Sequence, residues 1–260
     1  MLSTVIRKKR RGLKFCKERT CYIQFQPDMG PFTNVMSICS WIKKLRPQHD
    51  TVWFGYCWKG GDILISDSGK YNRVNSASVT WLDQFGSVPI GKWYHLCSTW
   101  SRSLNTIRIY KDGKLLKTNS QDSAGHPIPL NGQLLIGNAC NGVNGNHEGQ
   151  AAGYPFGGEM TKLNVFSKEL SATAIKAMSD AGIGSNIEET YGEQRRIRWE
   201  DILLKPKSGN VAETEIDIGD ASVLGNKSRS HPKPKKLNSV TLNLTLISTL
   251  NSLIKIKYIC

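Results

Sequence analysis

The amino-acid sequence predicts an all-β sandwich. With 260 residues, 39% of them hydrophobic, the chain is long enough for one large sandwich with tails. Its apolar runs are short and alternate with polar residues, which is the period of a half-buried strand. Two such runs, residues 105–110 and 114–118, flank Asp112-Gly113, and an Asp-Gly pair in that setting is the strongest short signal of a β-hairpin.

The stretch 92–100, Lys-Trp-Tyr-His-Leu-Cys-Ser-Thr-Trp, has the most informative pattern. Side chains on a strand alternate between its two faces. One face carries Trp93, His95, Cys97 and Thr99, and the other carries Tyr94, Leu96, Ser98 and Trp100. Because both faces carry large or buried-prone residues, we expect a strand that is covered on each side.

The other elements follow from periodicity and turn residues. Further strands are predicted at residues 21–25, 34–43, 52–57, 62–65, 77–82, 134–136 and 160–166. One helix is expected at residues 171–180, where Ser171 can cap the first turn and Gly182 can end the helix. Residues 197–202 close the organised part, and the Gly- and Asn-rich stretch 137–158 is too irregular for regular structure.

The positive charge predicts the domain boundaries. The net charge is +14, but residues 1–19 hold eight Lys/Arg and one acid, and residues 221–260 hold seven Lys/Arg and no acid. The intervening residues carry equal numbers of basic and acidic groups. We therefore predict a basic disordered leader at 1–19, one domain at 20–205, and a disordered polar to basic tail at 206–260. A neutral domain argues against nucleic acid as the partner.

The seven cysteines favour an oxidising, extracellular compartment. Their spacing to one another and to histidine does not indicate zinc. Five basic residues follow Met1–Ile6 without an apolar segment, so no signal peptide is visible. No run of about 20 apolar residues indicates a membrane span.

His95-Leu96-Cys97-Ser98-Thr99-Trp100 matches the pentraxin pattern His-x-Cys-x-Ser/Thr-Trp, whose specified positions are His95, Cys97, Thr99 and Trp100. The order of strands over roughly residues 20–205 also resembles that family. The resemblance implies a two-sheet antiparallel jelly-roll sandwich with one short helix near its C-terminal end. It further implies a Cys39–Cys97 disulfide.

Pentraxins hold two calcium ions, and the resemblance assigns their ligands to positions of this chain. The positions without a ligand side chain are Gly60, Gly61 and Ala139, and those that retain an oxygen ligand are Asp62, Asn141, Glu148 and Gln150. Calcium affinity rises with the number of charged ligands. We therefore predict that calcium binds weakly or not at all.

Cys57 and Cys140 stand in the two loops that face each other across the metals in the resembling fold. Our hypothesis is that a Cys57–Cys140 disulfide joins these loops where calcium would otherwise hold them. Cys16 and Cys21 remain open to local pairing or to a bond with another chain.

The resemblance implies a non-enzymatic, lectin-like recognition module that binds phosphorylated or carbohydrate head groups, with its calcium dependence weakened or lost, and that forms homo-oligomers. The alternative is a calcium-independent protein–protein adhesion domain of a larger secreted or membrane protein. A third hypothesis assigns binding of anionic glycans or membranes to the basic ends. An enzyme alternative depends on residues 215–220, which resemble the carboxylate strand of jelly-roll β-glucan hydrolases.

Overall fold

A computed structural model gives the fold of the chain. It describes residues 9–16, 18–27, 34–45, 51–58, 61–66, 72–74, 77–79, 90–120, 128–129, 132–140 and 155–218, with the backbone alone at 72–74 and 77–79. All of these residues belong to one compact unit within residues 1–227.

Short strands make up most of the described chain. They are β1 (Lys9–Phe15), β2 (Tyr22–Phe25), β3 (Val35–Lys44), β4 (Val52–Trp58), β5 (Gly61–Ser66), β6 (Asn72–Val74), β7 (Ala77–Val79), β8 (Trp93–Ser101), β9 (Thr106–Lys111), β10 (Lys114–Ser120), β11 (Gln133–Ile136), β12 (Gly158–Phe166), β13 (Arg195–Ile197), β14 (Lys207–Ser208) and β15 (Ala212–Asp217). The helices are α1 (Ala172–Ala181), a 3₁₀ segment (Ile187–Gln194) and α2 (Trp199–Leu203).

The strands form two antiparallel sheets. The first sheet has the order β10-β9-β8-β3-β12-β1-β15, with β13 paired to β12, and the second has the order β14-β2-β11-β4-β5-β6-β7. Consecutive strands often lie in different sheets, which is the connectivity of a sandwich and not of a meander. The predicted fold class, an all-β two-sheet sandwich with few short helices, is confirmed.

The main core lies between the sheets and follows from strand alternation. Strand β8, which carries the pentraxin pattern, pairs with β3 and β9 in the interior of the first sheet. All nine of its residues are buried. Tyr94, Leu96 and Trp100 join the main core, whereas Cys97 and Trp93 belong to clusters on the opposite face. A strand covered on both sides is therefore confirmed.

Helix α1 covers part of the outer face of the first sheet. Its start and end are those the sequence predicts: the Ser171 hydroxyl accepts a hydrogen bond from the Ala174 amide, and Gly182 ends the helix with φ +72°. Ile175 and Met178 pack against the pair Cys39 and Cys97. The predicted hairpin also forms, since β9 and β10 are joined by residues 112–113, both with positive φ.

The predicted disordered leader and tail are wrong in part. Strand β1 pairs with β12 on one side and with β15 on the other, so residues 9–15 and 212–217 belong to the first sheet. Leu13 and Phe15 are buried in the main core. The excess of basic residues at 1–19 suggested a solvated leader. The acids that neutralise β1 lie on β15, about 200 positions later, so a local count of charges does not include them. Residues 1–8 and 219–260 of the predicted leader and tail lie outside the described residues.

A bulge in β12 brings a buried cation over the outer face of the first sheet. The register of β12 against β3 shifts between Thr161 and Asn164. Lys162 stands at this shift with φ +56°, an unusual conformation for a residue with a side chain. Its ammonium lies 2.9 Å from a carboxylate oxygen of Glu188 in the 3₁₀ segment.

The described helices are too short or too polar to cross a lipid bilayer.

Candidate functional site on the outer face of the second sheet

The candidate site lies on the face of the second sheet that points away from the main core. Alternation along β4, β5 and β11 directs Phe54, Tyr56, Ile63, Ile65, Leu134 and Ile136 inward. The intervening residues Cys57, Leu64 and Leu135 point outward and form a separate apolar cluster with Val52, Ala139 and Cys140. We call this set the outer cluster.

Residues 137–140 leave β11 and cross over β4, covering the outer cluster. Gly137 has φ +90°, and the Phe15 ring lies where a Cβ would be, within 2.4 Å, so only glycine can make this turn. Gly55 of β4 allows the close approach, since a Cβ there would lie 3.1 Å from the Cys140 sulfur. The crossing segment is therefore shaped by two glycines, one on each side of the contact.

A disulfide fixes this crossing. Cys57 and Cys140 are bonded, with Cα atoms 6.0 Å apart, inside the range that a disulfide can span. Cys57 stands in the ladder directly between Gln133 of β11 and Asp62 of β5. The bond thus ties the segment after β11 to the central strand of the second sheet.

A second disulfide stabilises the same segment from its other side. Cys16 and Cys21 are bonded across a short turn. Within that turn the Arg19 carbonyl accepts a hydrogen bond of 3.1 Å from the side-chain amide of Asn138, which is fully buried. The Asn138 side-chain oxygen accepts in turn from the Ala139 amide. Sequence analysis did not identify Asn138, because its partner is a backbone carbonyl that no residue pattern reveals.

Residues 155 and 156 lie beside the point where the chain leaves β11. The Phe156 amide donates to the Gly137 carbonyl at 2.9 Å, and Pro155 forms a bridge with Val52 at the start of β4. Residues 137 and 156 are therefore neighbours at the edge of the outer cluster. The described residues that flank positions 141–154 are thus held close together.

Three of the implied calcium positions lie within the described residues. Gly61 lies under the Trp58 indole, where a Cβ would come within 2.5 Å of the ring. Ala139 is fully buried in the outer cluster. Asp62 is buried at the same edge and already has a partner. Calcium needs six to eight oxygens, and of these three positions Asp62 alone has a side-chain oxygen. The remaining positions, Gly60, Asn141, Glu148 and Gln150, lie outside the described residues.

The residues of the pentraxin pattern lie on β8, in the other sheet, and they have structural surroundings. Cys97 is bonded to Cys39, its register partner on β3, with Cα atoms 4.1 Å apart. The His95 ring lies on Trp41, with ring centroids 5.2 Å apart. Burial, assisted by the Lys162 charge, lowers the pKa of His95 to about 3. His95 is therefore a neutral, enclosed side chain.

The carboxylates that suggested a glycan hydrolase lie at a sheet edge. Glu215 and Asp217 are on β15, the last strand of the first sheet. Glu215 forms an exposed ion pair with Lys9 of β1. Glu213 accepts from Arg11 at 2.6 Å and from Lys207 at 3.2 Å, and these two bonds lower the pKa of its carboxyl. Asp220 lies outside the described residues.

Comparisons with known proteins agree with this geometry. The family profile described as Laminin_G_3, concanavalin A-like lectin/glucanases superfamily, matches residues 18–176. The chain is 29% identical to Pentraxin-related protein PTX3 of Homo sapiens over 178 residues, covering 66% of this chain and 44% of that protein. It is 27% identical to C-reactive protein 1.1 of Limulus polyphemus over 191 residues, covering 71% of this chain and 75% of that protein.

A solved pentraxin structure has the same fold over most of the chain. A heptameric SAP-like pentraxin from Limulus polyphemus superposes with a TM-score of 0.58 at 18% identity, covering 79% of this chain and 94% of that one. At this identity the similarity concerns the fold. The chain spans less than half the length of the PTX3 proteins that it matches. The relatives named here are pentraxins, and the chain belongs to the concanavalin A-like lectin/glucanase superfamily.

Proposed function

We propose that this chain is a non-enzymatic, extracellular recognition module of the pentraxin type, with its calcium dependence weakened or lost. The observation that carries the proposal is the Cys57–Cys140 disulfide. It lies on the face where the pentraxin resemblance places the calcium ligands. A covalent bond there holds the crossing segment against β4 without any ion.

The chemistry of the described ligand positions supports the loss of calcium dependence. Trp58 occupies the space beside Gly61, and apolar neighbours surround Ala139. Asp62 is then the one carboxylate among these described positions, and a single carboxylate gives weak affinity for a divalent cation. We propose Asn141, Glu148 and Gln150 as the rest of a ligand set whose negative charge is too low for two ions.

The disulfides support the extracellular part of the proposal. Three bonds join six of the seven cysteines: Cys16–Cys21, Cys39–Cys97 and Cys57–Cys140. Such bonds persist in oxidising compartments and are rare in the cytosol. We therefore place the protein outside the cell, as a secreted protein or an ectodomain.

The partners we propose are phosphorylated or carbohydrate head groups, and we also propose that the chain forms a homo-oligomer. The heptameric state of the Limulus pentraxin supports the second point. Calcium-independent protein–protein adhesion is the second candidate. The low charge of the described calcium positions favours it, because recognition of a head group through calcium needs several carboxylates and Asp62 is the one carboxylate among those described positions.

Calorimetric titration of the full chain with calcium, after EGTA treatment, tests the proposal. The full chain is needed because β1 and β15 lie outside residues 20–205. We expect no saturable heat and an unchanged melting temperature. The Cys57→Ala/Cys140→Ala variant, which lacks this disulfide, is the matched comparison. Calcium should not restore the stability that this variant loses. Two binding events with micromolar affinity in the unmodified chain would contradict the proposal.

Binding assays separate the two candidates. The full chain is applied to immobilised phosphoserine and to a panel of neutral and acidic glycans, with calcium and with EGTA. Equal binding under both conditions supports recognition of head groups without calcium. Binding to neither surface excludes head-group recognition for these probes and favours the adhesion candidate.

A further inference from the structure

A second group of metal-ligand residues lies in the first sheet, away from the outer cluster. Cys39 and Cys97 are register partners on β3 and β8, and His95 precedes Cys97 by two residues on the same face. The two sulfurs and a His95 ring nitrogen all lie within 4.8 Å of one another. All three residues are more than nine-tenths buried. The group is therefore enclosed and convergent.

The His95 ring is directed toward the Cys97 sulfur. Its Nε2 lies 3.7 Å from the Cys97 sulfur. A nitrogen and a sulfur that share one metal ion are separated by about 3.6–3.8 Å, given bonds of about 2.0–2.1 and 2.3 Å. Nδ1 is buried and makes no hydrogen bond to the described residues.

In the structure the two sulfurs are bonded to each other, so metal binding requires the reduced chain. We propose that, once a thiol reductant has opened the Cys39–Cys97 disulfide, Cys39, Cys97 and His95 form a three-coordinate site for a soft monovalent metal ion such as Cu⁺. Two reductant thiols become one disulfide and deliver two electrons and two protons, giving two cysteine thiols. Binding of the ion then releases these two protons to solvent.

The donor set and its surroundings favour Cu⁺ over harder or divalent ions. Two thiolates and an imidazole are soft ligands, which select Cu⁺ and Zn²⁺ over calcium or magnesium. Structural zinc takes four protein ligands, whereas three convergent donors are present among the described His, Cys, Asp and Glu residues.

This group of three residues is not apparent from the linear sequence. Cys39 is 58 positions from Cys97, so the usual short spacing of metal ligands is absent. Only the ladder between β3 and β8 brings them together. The inference does not rest on the proposed recognition function, since the two groups lie in different sheets.

The test uses the full chain, reduced without oxygen by tris(2-carboxyethyl)phosphine, with Cu⁺ supplied against a competing Cu⁺ chelator. In a background where Cys16, Cys21, Cys57, Cys140 and Cys260 are serine, Cys39 and Cys97 are the remaining thiols. We expect one Cu⁺ per chain and retained near-ultraviolet circular dichroism. X-ray absorption should give a first shell of two sulfurs and one nitrogen, in this background and in the reduced unmodified chain.

Two variants make the test specific. His95→Phe keeps an aromatic ring against Trp41 and should weaken Cu⁺ binding by more than about tenfold. Thr99→Val is the matched control, because Thr99 follows Cys97 on the same face and its buried hydroxyl makes no hydrogen bond to a described residue. Its affinity should be unchanged. A sulfur-only shell, equal affinity in His95→Phe, or a reduced chain that unfolds and is not refolded by Cu⁺ overturns the proposal.

Discussion

His95 is a histidine whose environment removes its usual role. It lies on β8 among Trp41, Cys97 and the buried ammonium of Lys162, and its exposed fraction is 3%. An imidazole near pH 7 commonly acts as an acid, a base or a pH sensor. Here burial makes protonation costly, so the ring contributes packing and a neutral lone pair.

We expect His95 to make the protein acid-sensitive. Its pKa is about 3 in the folded chain and about 6.5 when unfolded. Between these values the unfolded chain binds one more proton, so the free energy of unfolding falls as the pH falls, by up to about 1.4 kcal/mol per pH unit. The His95→Phe variant should lose this component.

Urea unfolding of both proteins at pH 7, 6 and 5 measures the difference. Carboxylates contribute equally to both proteins, so they cancel in the comparison. If the two stabilities decline in parallel as the pH falls, His95 is protonated in the folded chain and this account of its environment is wrong.

The crossing segment after β11 shows how disulfides stabilise an element that has little regular structure. Residues 137–140 are held by the Cys57–Cys140 bond on one side and by the turn that Cys16–Cys21 closes on the other. The two bonds close loops of very different length, with sequence separations of 83 and 5. In the chain-entropy description, the longer loop gives the larger stabilisation.

Removing each bond should therefore have unequal effects. We expect Cys57→Ala/Cys140→Ala to lower the free energy of unfolding by about 4.5 kcal/mol, and Cys16→Ala/Cys21→Ala to lower it by about 2 kcal/mol. Urea unfolding monitored by tryptophan fluorescence measures both. Equal losses, or a larger loss for the short loop, would show that contacts around the segment outweigh the entropy of the unfolded chain.

At the scale of the whole molecule, the first sheet depends on strands from both ends of the domain. β1 lies between β12 and β15, and its partners come from residues 158–160 and 212–217. The ion pairs between β1 and β15 are exposed, so each contributes little to the free energy of unfolding. The buried side chains of β1 must provide most of its attachment.

Substitutions in β1 test this assignment. Leu13→Ala removes a fully buried side chain and should lower the free energy of unfolding by about 2–5 kcal/mol. Lys14→Ala, at the exposed neighbour, should change it by less than about 0.5 kcal/mol. Chemical denaturation of both variants gives the comparison. A Leu13→Ala effect as small as that of Lys14→Ala would place β1 outside the cooperative core.

The sequence predicts those features that depend on neighbouring residues. Alternation identified β8, the Asp112-Gly113 pair identified the hairpin, and Ser171 with Gly182 bounded α1. Features that depend on distant partners were missed. Arg11 looked like part of a solvated tail because Glu213 is far away in sequence, and nothing local marks the Lys162 bulge.

The position of β1 also bears on how the protein is made. A ribosome releases residues 9–15 long before it releases the strands on either side of them in the sheet. Until then the nascent chain carries two uncovered apolar side chains, Leu13 and Phe15, beside a run of uncompensated cations. Pairing over such separations is slow and leaves the chain open to aggregation. Of the three strands β1, β12 and β15, the one synthesised first must therefore wait longest for its native neighbours.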